Sequence, residues 1–205
     1  MLYNIFVLIG LISTAFASIG VDVVEKIPAA SWQCMKADGY NFATVRIYYY
    51  DTNFIEPVAA VDSNGPFNVQ GAWTAGIANV DAYIIPCYNC GNPAKQVKIN
   101  SVLIYDPQIM RILQVDDSIN YLLANGIPVA GVNSTTESTQ KVNRIWIYIT
   151  NVDYYTGSHT ANTNFITDMA KQIIARGSTV GIYTSRANWL TVTGSTSTLS
   201  AYPLW

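Results

Sequence analysis

Two carboxyl side chains that could transfer a proton lie within apolar runs of this chain. Asp22 lies in the run "IGVDVV", and Asp81 stands near the start of "VDAYIIPC". A carboxyl group at a strand end can act as a general acid or base when it lies within hydrogen-bond reach of a substrate. Asp22 is therefore the candidate catalytic residue, and the alternative is an Asp that caps a helix or closes a turn.

Asp81 has a different set of alternatives. It begins a predicted strand, so its side chain would point into the interior of the fold. A buried carboxylate is costly unless a cation or hydrogen-bond donors compensate it. Arg46, in the run "FATVRIYYY", is the candidate cation on a neighbouring strand. We therefore expect either an Asp81–Arg46 ion pair that shapes the floor of a cleft, or a catalytic Asp81.

The stretch "IWIYITNVDYY" presents hydroxyl groups where acid–base chemistry would need acidic side chains. Tyr148 and Thr150 lie at the end of the apolar run, and Asp153 follows three residues after Thr150. A Tyr phenol with a pKa of ~10 is a poor acid at neutral pH, and Thr is no acid there. A carboxyl group from this stretch could therefore come only from Asp153, provided that it reaches the same cleft.

Short apolar runs alternate with helix-period segments, and these elements must position the candidate residues. The predicted strands are 19–24, 42–50, 80–87, 127–132, 144–149, 179–184 and the beginning of one at 202–205. The predicted helices are 28–39, 71–79, 115–126, 160–177 and 185–194. This order indicates an α/β fold of parallel strands covered by helices, either a small or irregular (β/α) barrel or an open sheet. In both architectures ligands bind at the C-terminal ends of the strands.

The composition narrows the classes of partner and cofactor. The 205-residue chain has a net charge of −2 and no basic run, so we expect no nucleic-acid partner. No glycine-rich loop follows a predicted strand, which argues against a nucleotide cofactor, and we expect no cofactor at all. Cys34, Cys87, Cys90 and the single His159 cannot supply four zinc ligands without carboxylates. We therefore predict one structural disulfide, no metal and a solvated His159.

The first 17 residues form an apolar run closed by Ala15-Phe16-Ala17, the pattern of a cleaved secretory signal peptide. The alternative is a membrane anchor, but the run is shorter than the ~20 residues that a membrane-spanning helix needs. We therefore expect a secreted, extracellular protein that begins at Ser18 and has no membrane association after cleavage.

Six motifs occur in order along the chain: "GVDVV", "DGYNFATVRIY", "VDAYIIPCYNCGNPAKQ", "NTNFITDM", "VGIYTSRANW" and "YPLW". Together they resemble the nematode-type branch of the glycoside hydrolase family 25 lysozymes. The resemblance implies a single domain over 18–205 with an irregular (β/α) TIM-like barrel. It also implies a secreted enzyme that cuts the β-1,4 glycosidic bonds of bacterial peptidoglycan, in innate defence or digestion. It matches Asp22 to the acidic residue that ends the family's first strand.

The resemblance also locates a replaced acidic pair. The family carries Asp-x-Glu in a stretch similar to "W-x-D-x-E-G-x-x-Y-W", and Trp146 and Tyr154-Tyr155 match its aromatic positions. The Asp position falls on Tyr148 and the Glu position on Thr150. Glycosidic cleavage needs a proton for the leaving oxygen, and general acid catalysis contributes about 10²–10⁴-fold. The resemblance therefore implies impaired hydrolysis, with a catalytically inactive glycan-binding or regulatory relative as the alternative.

A cleft that binds cell-wall glycan would be lined by residues from several strand ends. The predicted substrate-binding residues are Asp81, Arg46, Tyr148, Thr150 and Tyr183. The rings of Tyr183 and Trp205 could stack on sugars through their apolar faces, or they could be ordinary core residues.

Two segments depart from the family pattern. Residues 97–114, "VKINSVLIYDPQIMRILQ", have no counterpart, and their removal would join "NPAKQ" to "VDDSINYL" as one helix. We interpret them as a retained intron whose product would protrude as an insert. Sequencing of the transcript tests this, and a mature mRNA that contains the segment would contradict it. The family also continues beyond "PLW", so we expect an incomplete final strand at Trp205.

Overall fold

The structure is a computed structural model, and it describes residues 18–51, 58–88, 98–99, 102–103, 107–132 and 140–205. The predicted signal peptide, 1–17, and Cys90 lie outside the described residues. Within the part that is described, every helix is too short or too polar to cross a lipid bilayer.

Eight strands and five α-helices follow one another along the described chain. The strands are β1 (Gly20–Val23), β2 (Phe42–Asp51), β3 (Val58–Val61), β4 (Asn79–Ile84), β5 (Lys98–Ile99), β6 (Val102–Leu103), β7 (Val142–Ile149) and β8 (Val180–Thr184). The helices are α1 (Ala29–Ala37), α2 (Asn64–Thr74), α3 (Pro107–Ala124), α4 (His159–Ala175) and α5 (Arg186–Thr193), with a 3-10 helix at Val152–Tyr154.

The main sheet has the order β1-β2-β4-β7-β8, and each of these neighbours is parallel to the next. β3 pairs with β2 in the antiparallel direction, and β5 pairs with β6 in a separate two-stranded sheet. The chain is thus a mixed α/β domain with a mostly parallel sheet, as predicted.

Side chains alternate between the two faces of this sheet, because successive residues of a strand point in opposite directions. One face is apolar and packs under the helices; Val45, Ala82 and Ile145 on it are fully buried. The opposite face, called here the polar face, carries Asp22, Thr44 and Asp81 side by side in register, with rings such as Tyr83 and Tyr148 nearer the C-terminal ends of the strands. The hydrophobic core therefore lies outside the sheet, and the polar face is left for a site.

Rings from distant strands meet on the polar face. Trp205 lies beside β8, where its N–H donates to the carbonyl of Ile182 and its carbonyl accepts from the N–H of Thr184. Its ring centroid lies 5.8 Å from that of Phe42 on β2. Phe42 lies near one edge of the five-stranded sheet and Trp205 lies beside the other edge. Their contact requires a strongly curved sheet, which is compatible with a barrel-like fold.

The segment after β2 differs from the sequence prediction. A helix was expected at 71–79, but α2 lies earlier, at Asn64–Thr74, and the short strand β3 precedes it. Pro66 stands in the first turn of α2, where its missing N–H costs no intrahelical hydrogen bond. Gly71 is tolerated inside the helix because the ring of Trp32 packs against it; a Cβ there would lie 2.6 Å from the ring.

The strand predicted at 127–132 is reduced to one bridge, between Val129 and Val142. Pro128 has no N–H to donate to a ladder. Gly131 adopts φ +79, and a Cβ at this position would lie 1.8 Å from the carbonyl oxygen of Gly177. The chain therefore leaves the sheet after a single contact, and β7 pairs directly with β4.

Part of the predicted insert at 97–114 is described. Residues 107–114 form the first turns of α3 and continue into 115–124 without a break. The side chain of Gln114 is 2% exposed, and it accepts from the N–H and donates to the carbonyl of Cys87, both at 2.9 Å. Residues 97, 100–101 and 104–106 lie outside the described part, and the origin of the segment in the transcript stays a prediction.

Candidate functional site

The C-terminal ends of the parallel strands gather several of the predicted site residues on the polar face. This region, called the mouth, is formed by Asp22 of β1, Arg46 of β2, Tyr83 of β4, Tyr148 of β7 and Tyr183 of β8. Their strands are neighbours in the sheet, so alternation within each strand brings these five side chains to one side.

Asp22 is the solvent-accessible carboxyl group of the mouth. Partial burial of this group raises its pKa above the usual value for Asp, while a hydrogen bond from the Tyr83 hydroxyl and the positive charge of Arg46 lower it. Burial is the largest of these effects, so Asp22 holds its proton to a higher pH than an ordinary surface Asp. An accessible carboxyl group with a raised pKa can serve as a proton donor.

Tyr148 occupies the middle of the mouth and contacts a ring on each side. Its centroid lies 5.1 Å from that of Tyr83 and 4.6 Å from that of Tyr183. Tyr183 in turn stacks on Trp205, with 4.4 Å between centroids and 14° between planes. Burial raises the pKa of the Tyr83 and Tyr183 phenols, so both stay protonated at neutral pH. The rings therefore offer apolar faces and hydroxyl groups, but no acid of useful strength.

Arg46 is paired with Asp62, and the expected Asp81–Arg46 ion pair is wrong. The Nε of Arg46 donates to Oδ2 of Asp62 at 2.6 Å, and the other oxygen of Asp62 accepts from the N–H of Asn64 at 2.9 Å. The physical reason is register: Arg46 lies opposite Tyr83, two residues beyond Asp81 along the strand. Asp62 follows β3, which returns beside β2 and brings this carboxylate to Arg46.

Asp81 is a buried hydrogen-bond acceptor below the mouth. It is 6% exposed, and its Oδ2 accepts from the indole N–H of Trp146 at 2.8 Å. Burial raises its pKa, while Trp146 and the charge and backbone N–H of Arg144 lower it. A register shift beside Asp81, between Val80 and Ala82, places one more residue in β7 than in β4. Asp81 therefore orients Trp146, and its contact with substrate stays a prediction.

The remaining candidates lie at the rim or away from the mouth. Thr150 is half-buried just after β7, and its carbonyl accepts from the side chain of Asn188 at 2.9 Å. Asp153 is exposed in the 3-10 helix, and its N–H donates to the side chain of Asn151 at 3.1 Å. His159 is exposed at the start of α4, as predicted. No described contact joins Asp153 to Asp22.

The cysteines and the acidic residues give no sign of a metal centre in the part of the chain that is described. Cys87 is disulfide-bonded, while Cys34 on α1 is free and exposed. No three His, Cys, Asp or Glu side chains of the described ranges are grouped so that they could hold a metal ion.

The chain is similar to known proteins over most of its length. The family model described as "Lysozyme-like protein 1" matches residues 13–205, which is most of the chain. A relative that carries the family 25 name is 30% identical to the whole chain. The chain belongs to the family 25 lysozymes.

Named relatives of this family 25 chain come from an amoeba and a nematode. "Probable GH family 25 lysozyme 2" of Dictyostelium discoideum is 30% identical over 100% of the chain and 77% of that protein. "Probable GH family 25 lysozyme 5" of the same organism is 28% identical over 98% of the chain and 76% of that protein. "Lysozyme-like protein 5" of Caenorhabditis elegans is 26% identical over 85% of the chain and 64% of that protein. No solved structure matches the chain.

Sequence reasoning about this family 25 chain missed three side chains of the site. Tyr83 could have been found, because it stands two residues after Asp81 in "VDAYI" and must share its face. Trp146 was noted only as a family match, although the same alternation with Tyr148 puts it on the polar face. Asp62 begins "DSNG", a turn signature, but its pairing with Arg46 depends on β3, which no pattern indicated.

Proposed function

We propose that this family 25 chain is a secreted lysozyme-type protein that binds the β-1,4-linked glycan of bacterial peptidoglycan at the mouth and hydrolyses it poorly. One observation carries the proposal: the ring of Tyr148, the residue that the resemblance matches to the family's Asp, lies in the mouth in contact with the rings of Tyr83 and Tyr183. Hydrolysis requires a carboxyl acid near the scissile bond and a second group that stabilises the developing charge. Asp22 can supply one of these, and neither Tyr148 nor Thr150 replaces the other.

The side chains of the mouth suit sugar binding even without an acidic pair. Sugar rings bind proteins through stacking on aromatic faces and hydrogen bonds to their hydroxyl groups, and the mouth supplies both. Tyr148 and Tyr183 are partly accessible, Trp205 is 41% exposed, and Asp22 accepts hydrogen bonds. Binding can therefore persist although the acid is replaced, and this supports the second candidate function, a catalytically inactive glycan-binding relative.

The proposal includes closure of the sheet into an irregular (β/α) barrel. The contact of Trp205 with Phe42 and the pairing of 203–205 with β8 support it, since they bring residues from near both ends of the sheet together. The signal-peptide pattern of residues 1–17 supports export to the medium. The proposal also includes a role in innate defence or digestion, which the family resemblance implies.

Two measurements on one purified protein test the proposal. The first is retention of the protein on insoluble bacterial peptidoglycan, and the second is the loss of turbidity of a cell-wall suspension. We expect clear retention, and clearing that is slow and falls to background in Asp22→Asn. The matched control is Asp38→Asn, the same chemical change at an exposed position just after α1.

The outcomes separate the two candidate functions. Slow clearing that depends on Asp22 supports a weak enzyme, and retention with wild-type clearing equal to that of Asp22→Asn supports an inactive binder. Absence of retention would overturn the proposal. Rapid clearing that Asp22→Asn leaves unchanged would contradict the assignment of both the impairment and the remaining acid.

A further inference from the structure

The mouth together with Asp62, the ion-pair partner of its Arg46, carries a net negative charge. Arg46 and Asp62 compensate each other, and Asp22 adds one negative charge when it is ionised. The ion pair between Arg46 and Asp62 is internally compensated at 2.6 Å, with Asp62 only 3% exposed. Asp22 is thus the charge that the mouth presents to solvent, and a bound cation would lie favourably beside it.

The surroundings of Asp22 are electron-rich. The hydroxyl groups of Tyr83 and Tyr183 lie close enough to Asp22 for its charge to raise their pKa values. A phenol oxygen that donates one hydrogen bond can still accept another. The faces and oxygens of phenol rings attract cations, and carboxylates surrounded by aromatic rings are a common protein solution for ammonium groups. Tyr148 extends this wall because it contacts both rings.

An amino group on a sugar meets this arrangement better than an acetamido group does. A protonated amine donates three hydrogen bonds and carries a positive charge. An N-acetyl group is neutral, donates one hydrogen bond and is larger. Among the described residues, the positive charge that lowers the pKa of Asp22 is that of Arg46. Arg46 already forms an ion pair with Asp62.

Resting on the proposed glycan-binding function, we propose that the mouth prefers β-1,4-linked glycans whose glucosamine units carry free amino groups. The ammonium group lies beside the carboxylate of Asp22 and the phenol oxygen of Tyr183, while Tyr83 is buried beneath them and donates its hydroxyl hydrogen to Asp22. The ring of Tyr148 extends the aromatic wall beside this ammonium group, because it contacts the rings of both Tyr83 and Tyr183.

Calorimetric titration with two probes tests the preference. The probes are a β-1,4-linked glucosamine oligomer and its fully N-acetylated counterpart of the same length, both at about pH 6, where amines are protonated and exposed carboxyl groups are ionised. We expect the amino oligomer to bind about three- to ten-fold more tightly, since a single ammonium gains one charge contact and cation–π attraction. The preference should weaken as salt rises. Equal affinities, or tighter binding of the acetylated oligomer, would overturn the inference.

Variants assign the preference to residues. In Asp22→Asn the ratio of the two affinities should fall towards one, because the carboxylate charge is gone while size and hydrogen bonding are kept. Asp38→Asn, at the opposite end of the strands, should keep the wild-type ratio. Tyr148→Leu should reduce the ratio about two- to five-fold, and Tyr121→Leu on α3 should leave it unchanged. A preference that survives in Asp22→Asn would contradict the assignment.

The same titrations separate this inference from the proposed function. Binding of the acetylated oligomer without preference leaves the glycan-binding function intact and ends the inference. Failure of both oligomers to bind, together with absence of retention on peptidoglycan, would overturn the proposed function itself.

Discussion

The ring of Tyr148 lies on the ring of Tyr83, with 5.1 Å between their centroids and 27° between their planes. Tyr83 is the residue whose hydroxyl donates to Asp22. Tyr148 is therefore packed against the hydrogen-bond partner of Asp22, the accessible carboxyl group of the mouth. Through this contact the pKa of Asp22 depends on the packing of the rings in the mouth. A substitution of Tyr148 should therefore change the pKa of Asp22, and a substitution of Asp22 should change the packing of the rings.

Replacement of Asp22 by Asn should stabilise the fold slightly at neutral pH. The pKa of Asp22 is raised in the folded chain, chiefly by burial. A raised pKa means that ionisation is less favourable in the folded than in the unfolded chain, so this group favours folding below its unfolded pKa and loses that contribution as pH rises through the folded pKa. The increase in the free energy of unfolding of Asp22→Asn should be less than about 1 kcal/mol, because solvent screens the charge of an accessible group.

Thermal unfolding of Asp22→Asn at several pH values checks this sign. The variant should melt above wild type at pH 7, and the difference should vanish in acid, below the ordinary Asp pKa. Asp38→Asn serves as the surface control. A variant that melts well below wild type at pH 7 would show that Asp22 stabilises the fold in its charged form.

Replacement of Trp146 by Phe should destabilise the fold by about 1–3 kcal/mol, because the buried carboxylate of Asp81 loses a donor. This donor is the indole N–H at 2.8 Å. Its loss raises the pKa of Asp81 further, so the deficit should be largest at neutral pH and shrink as pH falls and Asp81 takes up a proton. Denaturant unfolding at neutral and acid pH measures both effects.

The matched control for this change is Trp189→Phe. The indole N–H of Trp189 also donates, at 3.2 Å, but to the neutral carbonyl of Thr196. Its loss should cost less and show no such dependence on pH. Equal, pH-independent losses in the two variants would count against the pairing of Asp81 with Trp146.

Replacement of Gly181 by Ala should displace the ring of Trp146. A Cβ at this position would lie 2.4 Å from two ring carbons of Trp146, closer than real contacts allow. Overpacking of this kind costs about 1–3 kcal/mol. In a Trp146→Leu background the clash disappears, so the same Gly181→Ala change should cost much less there. Additive losses in the double variant would argue that the ring does not lie over β8.

The sequence predicted the parallel strands well, because each has a strong alternation or an apolar run. Strands β1, β2, β4, β7 and β8 all overlap predicted strands, and helices α4 and α5 begin near polar residues that cap them. Ser158 and Ser185 are these caps, and each accepts from a backbone N–H three residues later. These local signals do not depend on the rest of the fold.

The features that were missed depend on contacts between distant segments. β3 is only four residues long, and no pattern separated it from a loop. The pairing of Arg46 with Asp62 follows from the return of that strand, so residue types alone favoured the wrong partner, Asp81. Likewise, the placement of α2 depends on the close packing of Trp32 against Gly71. Tertiary packing, rather than local pattern, decides such positions.

The rate of cell-wall clearing by the double variant Tyr148→Asp/Thr150→Glu, measured against wild type, tests the central claim most directly. Circular dichroism and retention on peptidoglycan first establish that the variant is folded and binds, and Thr150→Glu alone provides a milder second variant. Introduction of the acidic pair that the resemblance implies should raise the clearing rate by about 10²-fold or more, since general acid catalysis contributes that much. A double variant that is folded and binds, but clears no faster than wild type, would contradict the claim that Tyr148 and Thr150 limit hydrolysis.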